Sequence, residues 1–242
     1  MVYNEFMVKK GDTLVEVTLA VGIFSMIAVA VVAIMSNGTS ETQTALETTL
    51  AREAIDTQAE ALRFIHDSAA IQNQENDENS MFIPLWNKIK GQALPADGQT
   101  DVYQFSPSRC ADLYSNKDEE KSIIQQQKAF FIDLEQLGVA ANLKQPSDTG
   151  ETAALVSSTQ PGDIDRFKET KTFPRIAEGN ASDHSKADGI YVIGVKGSKS
   201  NDGIELSLSG RDYYDFYIRT CWYGSNADLP STISTVIRLL DI

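Results

Sequence analysis

Between Glu16 and Glu41 the chain carries no charged side chain, and that gap constrains what the rest can fold into. Its centre, Val17 to Met35, reads VTLAVGIFSMIAVAVVAIM, 19 residues in which only Thr18 and Ser25 have polar side chains. At about 1.5 Å per residue, a helix of that length nearly covers a hydrocarbon core of roughly 30 Å. Lys9 and Lys10 precede the run, and the residues after it, through Glu41 and Glu47, are polar or acidic. Lysine on the N-terminal side favours keeping that end in the cytoplasm, which puts the C-terminal body outside.

A secretory signal peptide shares the lysines and the apolar segment. Its apolar region, however, usually runs about 7–15 residues and ends at a small-x-small cleavage site. Here the run is longer, and Ala28-Val29-Ala30, the one Ala-x-Ala near a plausible end, sits inside it. A plain single-pass anchor accounts for the length but not for Glu16 at the membrane edge. An acidic side chain in a spanning segment costs about 2.5–3.5 kcal/mol at the centre and less near an end.

The stretch Lys9-Lys10-Gly11-Asp12-Thr13-Leu14-Val15-Glu16 resembles the start of a type IV prepilin. In type IV pilins and pseudopilins a peptidase on the cytoplasmic side cuts after a glycine that follows a short basic leader. A glutamate at the fifth mature position then neutralises the N-terminal amine of a neighbouring subunit as helices stack in the filament core. The resemblance places the cut between Gly11 and Asp12 and makes Glu16 the fifth mature residue, with Thr13-Leu14-Val15-Glu16 close to the family's Thr-Leu-hydrophobic-Glu. A carboxylate buried beside an ammonium removes most of the desolvation penalty that each would carry alone. Asp12 departs from the family, which usually has phenylalanine there and methylates its amine. The aspartate sets a second carboxylate next to the amine that Glu16 is expected to meet.

The fold class expected is α+β and pilin-like: a long N-terminal helix, transmembrane in its first half and amphipathic in its second, packed on a C-terminal antiparallel β-sheet. The boundaries are a leader at 1–11, a transmembrane half at 12–38, an amphipathic half at 39–72 and a globular head at 73–242. The head comprises an αβ-loop region, 73–188, and the sheet, 189–242. The 242 residues suffice for one membrane helix and one domain of roughly 150–200 residues. Residues 1–11 hold Lys9, Lys10 and Glu5, a net charge of +1, so their removal takes the chain from −13 to −14. An acidic surface repels phosphate backbones, which disfavours nucleic acid as a partner.

Ser36-Asn37-Gly38-Thr39 reads as a breaker-like patch, and Ser40-x-x-Gln43 fits a capping box. From Glu41 to about Gln72 the sequence is rich in helix formers, with Leu46, Leu50, Ala54, Ala61 and Ile65 as the apolar stripe and Glu47, Arg52, Glu53, Asp56 and Arg63 on other faces. One helix of about 60 residues, some 90 Å long and bent near Gly38, is the expectation. No proline precedes Pro84, so a proline-driven break is disfavoured. A coiled-coil stalk is the rival, but the heptad is too short and irregular.

Between Asn73 and Asp188 the chain is polar, with apolar islands at Met81-Phe82-Ile83, Leu85-Trp86, Val102-Tyr103 and Ala129 to Leu134. The last reads as a short strand, although Ile123, Gln127, Phe130, Phe131 and Leu134 also fit a helix. Pro146 to Asp165 and Glu178 to Asp188 read as surface loops. Four strand-like runs follow, Ile190–Val195, Ile204–Ser209, Tyr213–Tyr223 and Thr232–Ile242, separated by Gly, Ser, Asn, Asp and Pro. In the third, Tyr214, Phe216, Ile218 and Trp222 fall on one face and Asp215, Arg219 and Cys221 on the other.

Cys110 and Cys221 are the two cysteines, 111 positions apart. In an oxidising compartment such a pair is expected to be a disulfide, strapping the middle region over the outer, polar face of the sheet. Catalytic motifs are missing: there is no Gly-x-Ser-x-Gly, no phosphate-binding glycine loop and no His-Glu-x-x-His. His66 and His184 have no metal-ligand spacing. Asp118-Glu119-Glu120 and Asn201-Asp202-Gly203 lack EF-hand spacing and read as solvated surface. Tyr213, Tyr214, Tyr217, Trp222 and Tyr223 read as sheet packing rather than a carbohydrate face. No enzyme, cofactor or metal is expected.

The resemblance implies a minor pilin or pseudopilin, a non-catalytic structural subunit of a type IV pilus-like filament. It would be made as a single-pass cytoplasmic-membrane precursor and carried outward into a cell-surface or periplasm-spanning filament. The partners implied are prepilin peptidase, other pilin subunits, the inner-membrane assembly platform and the lipid bilayer. Two rivals stand beside it: a membrane-anchored extracytoplasmic binding or adhesion protein that does not polymerise, and an anchored enzyme with an unrecognised site.

Overall fold

The computed structural model describes residues 12–75, 81–95, 110, 123–143, 154–160, 166, 189–197, 212–223 and 229–242, with 12, 13, 123 and 139–143 described by their backbone alone. The chain divides into two compact units, Met1–Ala45 and Leu46–Ile242. Helix α1, Asp12–Glu75, contributes to both and runs for 64 residues without interruption. The patch around Gly38 therefore does not break it, and Ser40 sits in the helix rather than capping it. The physical reason is local. Thr39 Oγ1 donates to the Ser36 carbonyl at 2.8 Å, Thr42 Oγ1 to Gly38 at 2.8 Å and Thr44 Oγ1 to Ser40 at 3.1 Å. Hydroxyls folded back onto the preceding turn are compatible with a helix interior.

In the unit from Leu46 onward, the buried face of α1 runs through Ala51, Ile55, Gln58, Leu62, Ile65 and Ala69 in alternating steps of four and three, widened by Ala59 and Ala61. Of the expected stripe, Ala61 and Ile65 are buried and Ala54 packs against the core, whereas Leu46 and Leu50 are exposed. Hydrophobic spacing alone hides Ala51, Gln58 and Ala69, positions where the helix comes close to its neighbours. Charged Arg52, Glu53, Asp56 and Arg63 do lie on the exposed side. Helix α2, Phe82–Gln92, turns two apolar islands into one amphipathic helix burying Phe82, Leu85, Trp86 and Ile89. Pro84 is tolerated because a first-turn N–H has no helical partner. The orphan N–H of Phe82 is met by the Gln72 side chain of α1 at 3.3 Å.

A one-turn helix α3, Ile123–Gln126, leads into strand β1, Phe130–Ile132, the short strand expected within Ala129–Leu134. Asp133 then starts α4, Leu134–Leu143, by accepting from the N–H groups of Glu135 and Gln136 at 3.1 and 3.2 Å. Strand β2, Leu155–Ser157, is wholly buried and lies in a stretch expected to be loop. Its three residues are too few for an alternation to show, and only pairing with β1 defines them. Strands β3, Gly189–Gly197, β4, Tyr213–Trp222, and β5, Ser231–Leu240, match three of the four expected runs. The fourth, Ile204–Ser209, lies outside the described residues, as do Val102-Tyr103 and Glu178 to Asp188.

The sheet is antiparallel throughout, in the order β2-β1-β3-β4-β5. Its inner face, with Phe130, Ile132, Ile190, Val192, Phe216 and Ile218, packs on α1 and α2 around Leu62, Ile65 and Trp86. Trp86 meets Tyr214 edge-on at 6.2 Å and Phe216 at 5.9 Å. The fold is thus α+β, a long helix and an antiparallel sheet, as expected.

The outer face departs from expectation. It is apolar over β1–β4, where Phe131, Val156, Tyr191, Ile193 and Val195 form a second cluster with Cys110, Ile124 and Cys221. The sheet is buried on both sides there, which alternation of polar residues in β4 alone does not show.

Candidate functional site

Two regions hold the residues that the sequence singles out. In the first unit, every described side chain from Leu14 to Thr39 is exposed within the unit, including Phe24, Met26, Ile27, Val32 and Ile34. The helix is long and apolar enough to cross a membrane. Its two hydroxyls inside the apolar run are satisfied internally, Thr18 Oγ1 on the Val15 carbonyl at 2.9 Å and Ser25 Oγ on Val21 at 2.7 Å. This is the arrangement a bilayer requires, because no water is available there to serve free polar groups. Glu16 is exposed in the first turns of the same helix, beside Leu14 and Val15, which are 72% and 65% exposed. Asp12 and Thr13 have helical backbone, whereas Lys9, Lys10 and Gly11 lie outside the described residues. Chemically, an apolar helix carrying carboxylates near its start, Asp12 and Glu16, can pair with lipid, with other helices and with a cation.

In the second unit, Cys110 and Cys221 form a disulfide with Cα atoms 5.6 Å apart, both side chains buried. It does tie the middle region to the outer face of the sheet, but through an apolar layer rather than over a polar surface. In that layer Tyr191 and Arg219 are register partners on β3 and β4. Burial pushes the Tyr191 hydroxyl up, and the nearby Arg219 charge offsets part of that shift. Burial also pulls the Arg219 guanidinium down. The pair escapes sequence reading because Tyr191 and Arg219 each alternate like ordinary strand residues.

The remaining candidates separate. Tyr214 and Trp222 are buried as packing residues, while Tyr213 lies beneath Arg238 at 4.1 Å. His66 is held between Asp67 and the Leu240 carbonyl. His184 and both acidic clusters lie outside the described residues. Among the described residues no group of three His, Cys, Asp or Glu side chains is placed to hold a metal ion. A shallow cleft between α1 and α4 has a floor of Ala61, Phe64, Leu134 and Leu137 and a rim that includes Arg52, Glu53 and Asp56. No protein-family model matches the chain, and comparison with curated proteins and with solved structures finds no match either.

Proposed function

We propose that the chain is a type IV pilin-like structural subunit, a minor pilin or pseudopilin, cut after Gly11 and assembled through its N-terminal helix into an extracytoplasmic filament. The observation that carries the reading is α1. One uninterrupted helix exposes an apolar first part in which Glu16 is the last charged side chain before Glu41, and continues into a second part buried under an antiparallel sheet. A bare membrane anchor needs the apolar length but has no use for Glu16. In the filament reading Glu16 meets a neighbour's amine as both leave water, and pairing lowers the cost of burying each charge. The oxidised Cys110–Cys221 bond fits a head domain outside the cytoplasm. Its partners are prepilin peptidase, other subunits, the assembly platform and the bilayer, and it is not an enzyme.

The test is incorporation. Glu16→Ala is expected to leave membrane insertion intact and to remove the subunit from sheared filaments, with Glu16→Asp retaining part of it. Equal incorporation of Glu16→Ala and the unmodified chain would reject assembly through this helix. Asp12 favours one rival, since a carboxylate beside the new amine pre-empts part of Glu16's role. An anchored binding protein that never polymerises keeps its surface function in the Glu16→Ala variant.

A further inference from the structure

Along the flank of α1 that borders the α4 cleft, apolar and acidic side chains are set in order. Phe64 and Leu134, 50% and 42% exposed, form the open part of the cleft floor, with Ala61 and Leu137 buried beside them. Phe64 is already fixed, edge-on to Phe82 of α2 with ring centres 5.4 Å apart. Leu134 is the first residue of α4, whose start is held by Asp133, itself paired with Arg166 at 2.9 Å. Glu60, Asp56 and Glu53 follow Phe64 back along α1, about 6, 12 and 17 Å away at the helical rise. Glu60 is bonded to Arg63 at 2.8 Å, whereas Asp56 and Glu53 make no ion pair among the described residues. Three carboxylates against one guanidinium, Arg52, leave the lining acidic.

We propose that this cleft is a docking site for a basic amphipathic helix of another protein. A small molecule fits poorly, since such ligands need a recess that buries most of their surface, and this cleft, although it holds about 760 Å³, is shallow. An exposed aromatic ring and a leucine, both set in fixed walls, take up an apolar anchor at little ordering cost. Asp56 and Glu53 lie about two and three turns from that anchor. A helix with apolar residues in one turn and Lys or Arg eight and eleven positions on presents both to the cleft from a single face. A metal ion is not the cation, because among the described residues no third ligand joins the two carboxylates. A second copy is disfavoured, since each chain carries a net charge of −13 and copies repel. The proposal does not rest on the filament reading, because an anchored protein that never polymerises docks the same helix.

The test uses the full chain in zwitterionic detergent micelles and a synthetic helix of about 16 residues built on Ala and Gln. The helix carries Trp and Leu in one turn and Lys eight and eleven positions from the Trp. Its fluorescence anisotropy is read against chain concentration, with binding to empty micelles subtracted. Glu53→Gln combined with Asp56→Asn is expected to weaken binding about fivefold, as two exposed ion pairs provide. Phe64→Ser and Leu134→Gln are each expected to weaken it about tenfold through the lost apolar contact. Leu134→Gln decides the matter if loss of the Phe82 contact unsettles the Phe64→Ser fold. Asp67→Asn combined with Glu75→Gln removes the same charge from exposed carboxylates of α1 outside the cleft, and is expected to leave binding unchanged. An equal loss in that pair would reduce the interaction to general acidity, and undiminished binding in the floor variants would remove the anchor; either overturns the proposal. A helix that does not bind the unmodified chain overturns it too. So does self-association of the unmodified chain, seen in sedimentation and abolished by Leu134→Gln, which would give the cleft to a second copy.

Discussion

Gln58→Leu is predicted to be among the most damaging single changes in the head, although it replaces a buried polar residue with an apolar one of similar size. Gln58 is 1% exposed. Its Nε2 donates to the Ile132 carbonyl and its Oε1 accepts from the Ile132 N–H, both at 2.9 Å. The sheet explains why Ile132 needs this. On one side of β1, Asp133 and Ala129 bond to Ala154 and Ser158 next to β2, so Ile132, one residue out of phase, turns its backbone the other way. There β3 pairs with β1 only at Phe130–Val192, and the Gln58 amide takes the place of the missing strand. Leucine removes both bonds and leaves two buried backbone groups unpaired. At about 1–3 kcal/mol for each of the two unsatisfied groups, the loss comes to roughly 2–6 kcal/mol. For a domain of this size that corresponds to a fall in Tm on the order of 10 °C. Circular dichroism melts of the full chain in detergent, with the disulfide oxidised, measure it. Gln58→Glu supplies a second reading. A protonated carboxyl both donates and accepts, as the amide does, whereas a carboxylate only accepts. Its folded-state titration is therefore raised, and its stability is present at low pH and lost as pH rises through that titration. A Gln58→Leu chain within about 1 kcal/mol of the unmodified one would refute the role given to this amide.

Other outcomes follow from the same structure. Replacing both Cys110 and Cys221 by serine is expected to lower stability by about 4–5 kcal/mol, the chain-entropy value for a loop of this length, read as a fall in the urea midpoint. Unchanged midpoints would show that the cross-link does not constrain the unfolded chain. Because burial raises Tyr191, the unfolded chain releases that proton first as pH passes about 10. Stability should therefore decline above that pH, and Tyr191→Phe should flatten the decline; an equal slope in the variant would contradict the assignment. Gly194→Ala places a Cβ 3.0 Å from the Phe216 ring and 3.4 Å from the Ala93 backbone, and is expected to cost about 1–3 kcal/mol in the same unfolding assay. A neutral result would mean that β3 and α2 shift apart freely.

The legible part of the fold was the part with long-range periodicity. An uncharged run of Val17–Met35 and a helix-forming tract to Gln72 specify α1 almost to its ends, while strand-forming runs bounded by Gly, Ser, Asn, Asp and Pro specify β3, β4 and β5, with alternation showing in β4. What stayed hidden depends on tertiary partners. The stripe of α1 could not be phased because Ala51, Gln58 and Ala69 are buried for closeness or for a hydrogen bond rather than for hydrophobicity. Strand β2 has three residues, and helix α2 opens with a proline in its first turn, so neither presents its period. The second apolar cluster draws Ile124, Phe131, Val156 and Tyr191 from four separate stretches, and no local pattern announces that they meet. Of the candidate site, the cysteine pairing was legible because two thiols leave one intramolecular choice. The Tyr191–Arg219 and Gln58–Ile132 partnerships were not, since each joins residues distant in sequence.

The central claim is that the apolar helix is an assembly element released by cleavage after Gly11. The intact mass of the protein, from cells with and without prepilin peptidase and from a Gly11→Ala variant, tests it most directly. The account predicts a chain lacking residues 1–11 that appears only when both the enzyme and the glycine are present. A full-length chain in every case, or one cut after the apolar run, would contradict it and leave an anchored or secreted binding domain in its place.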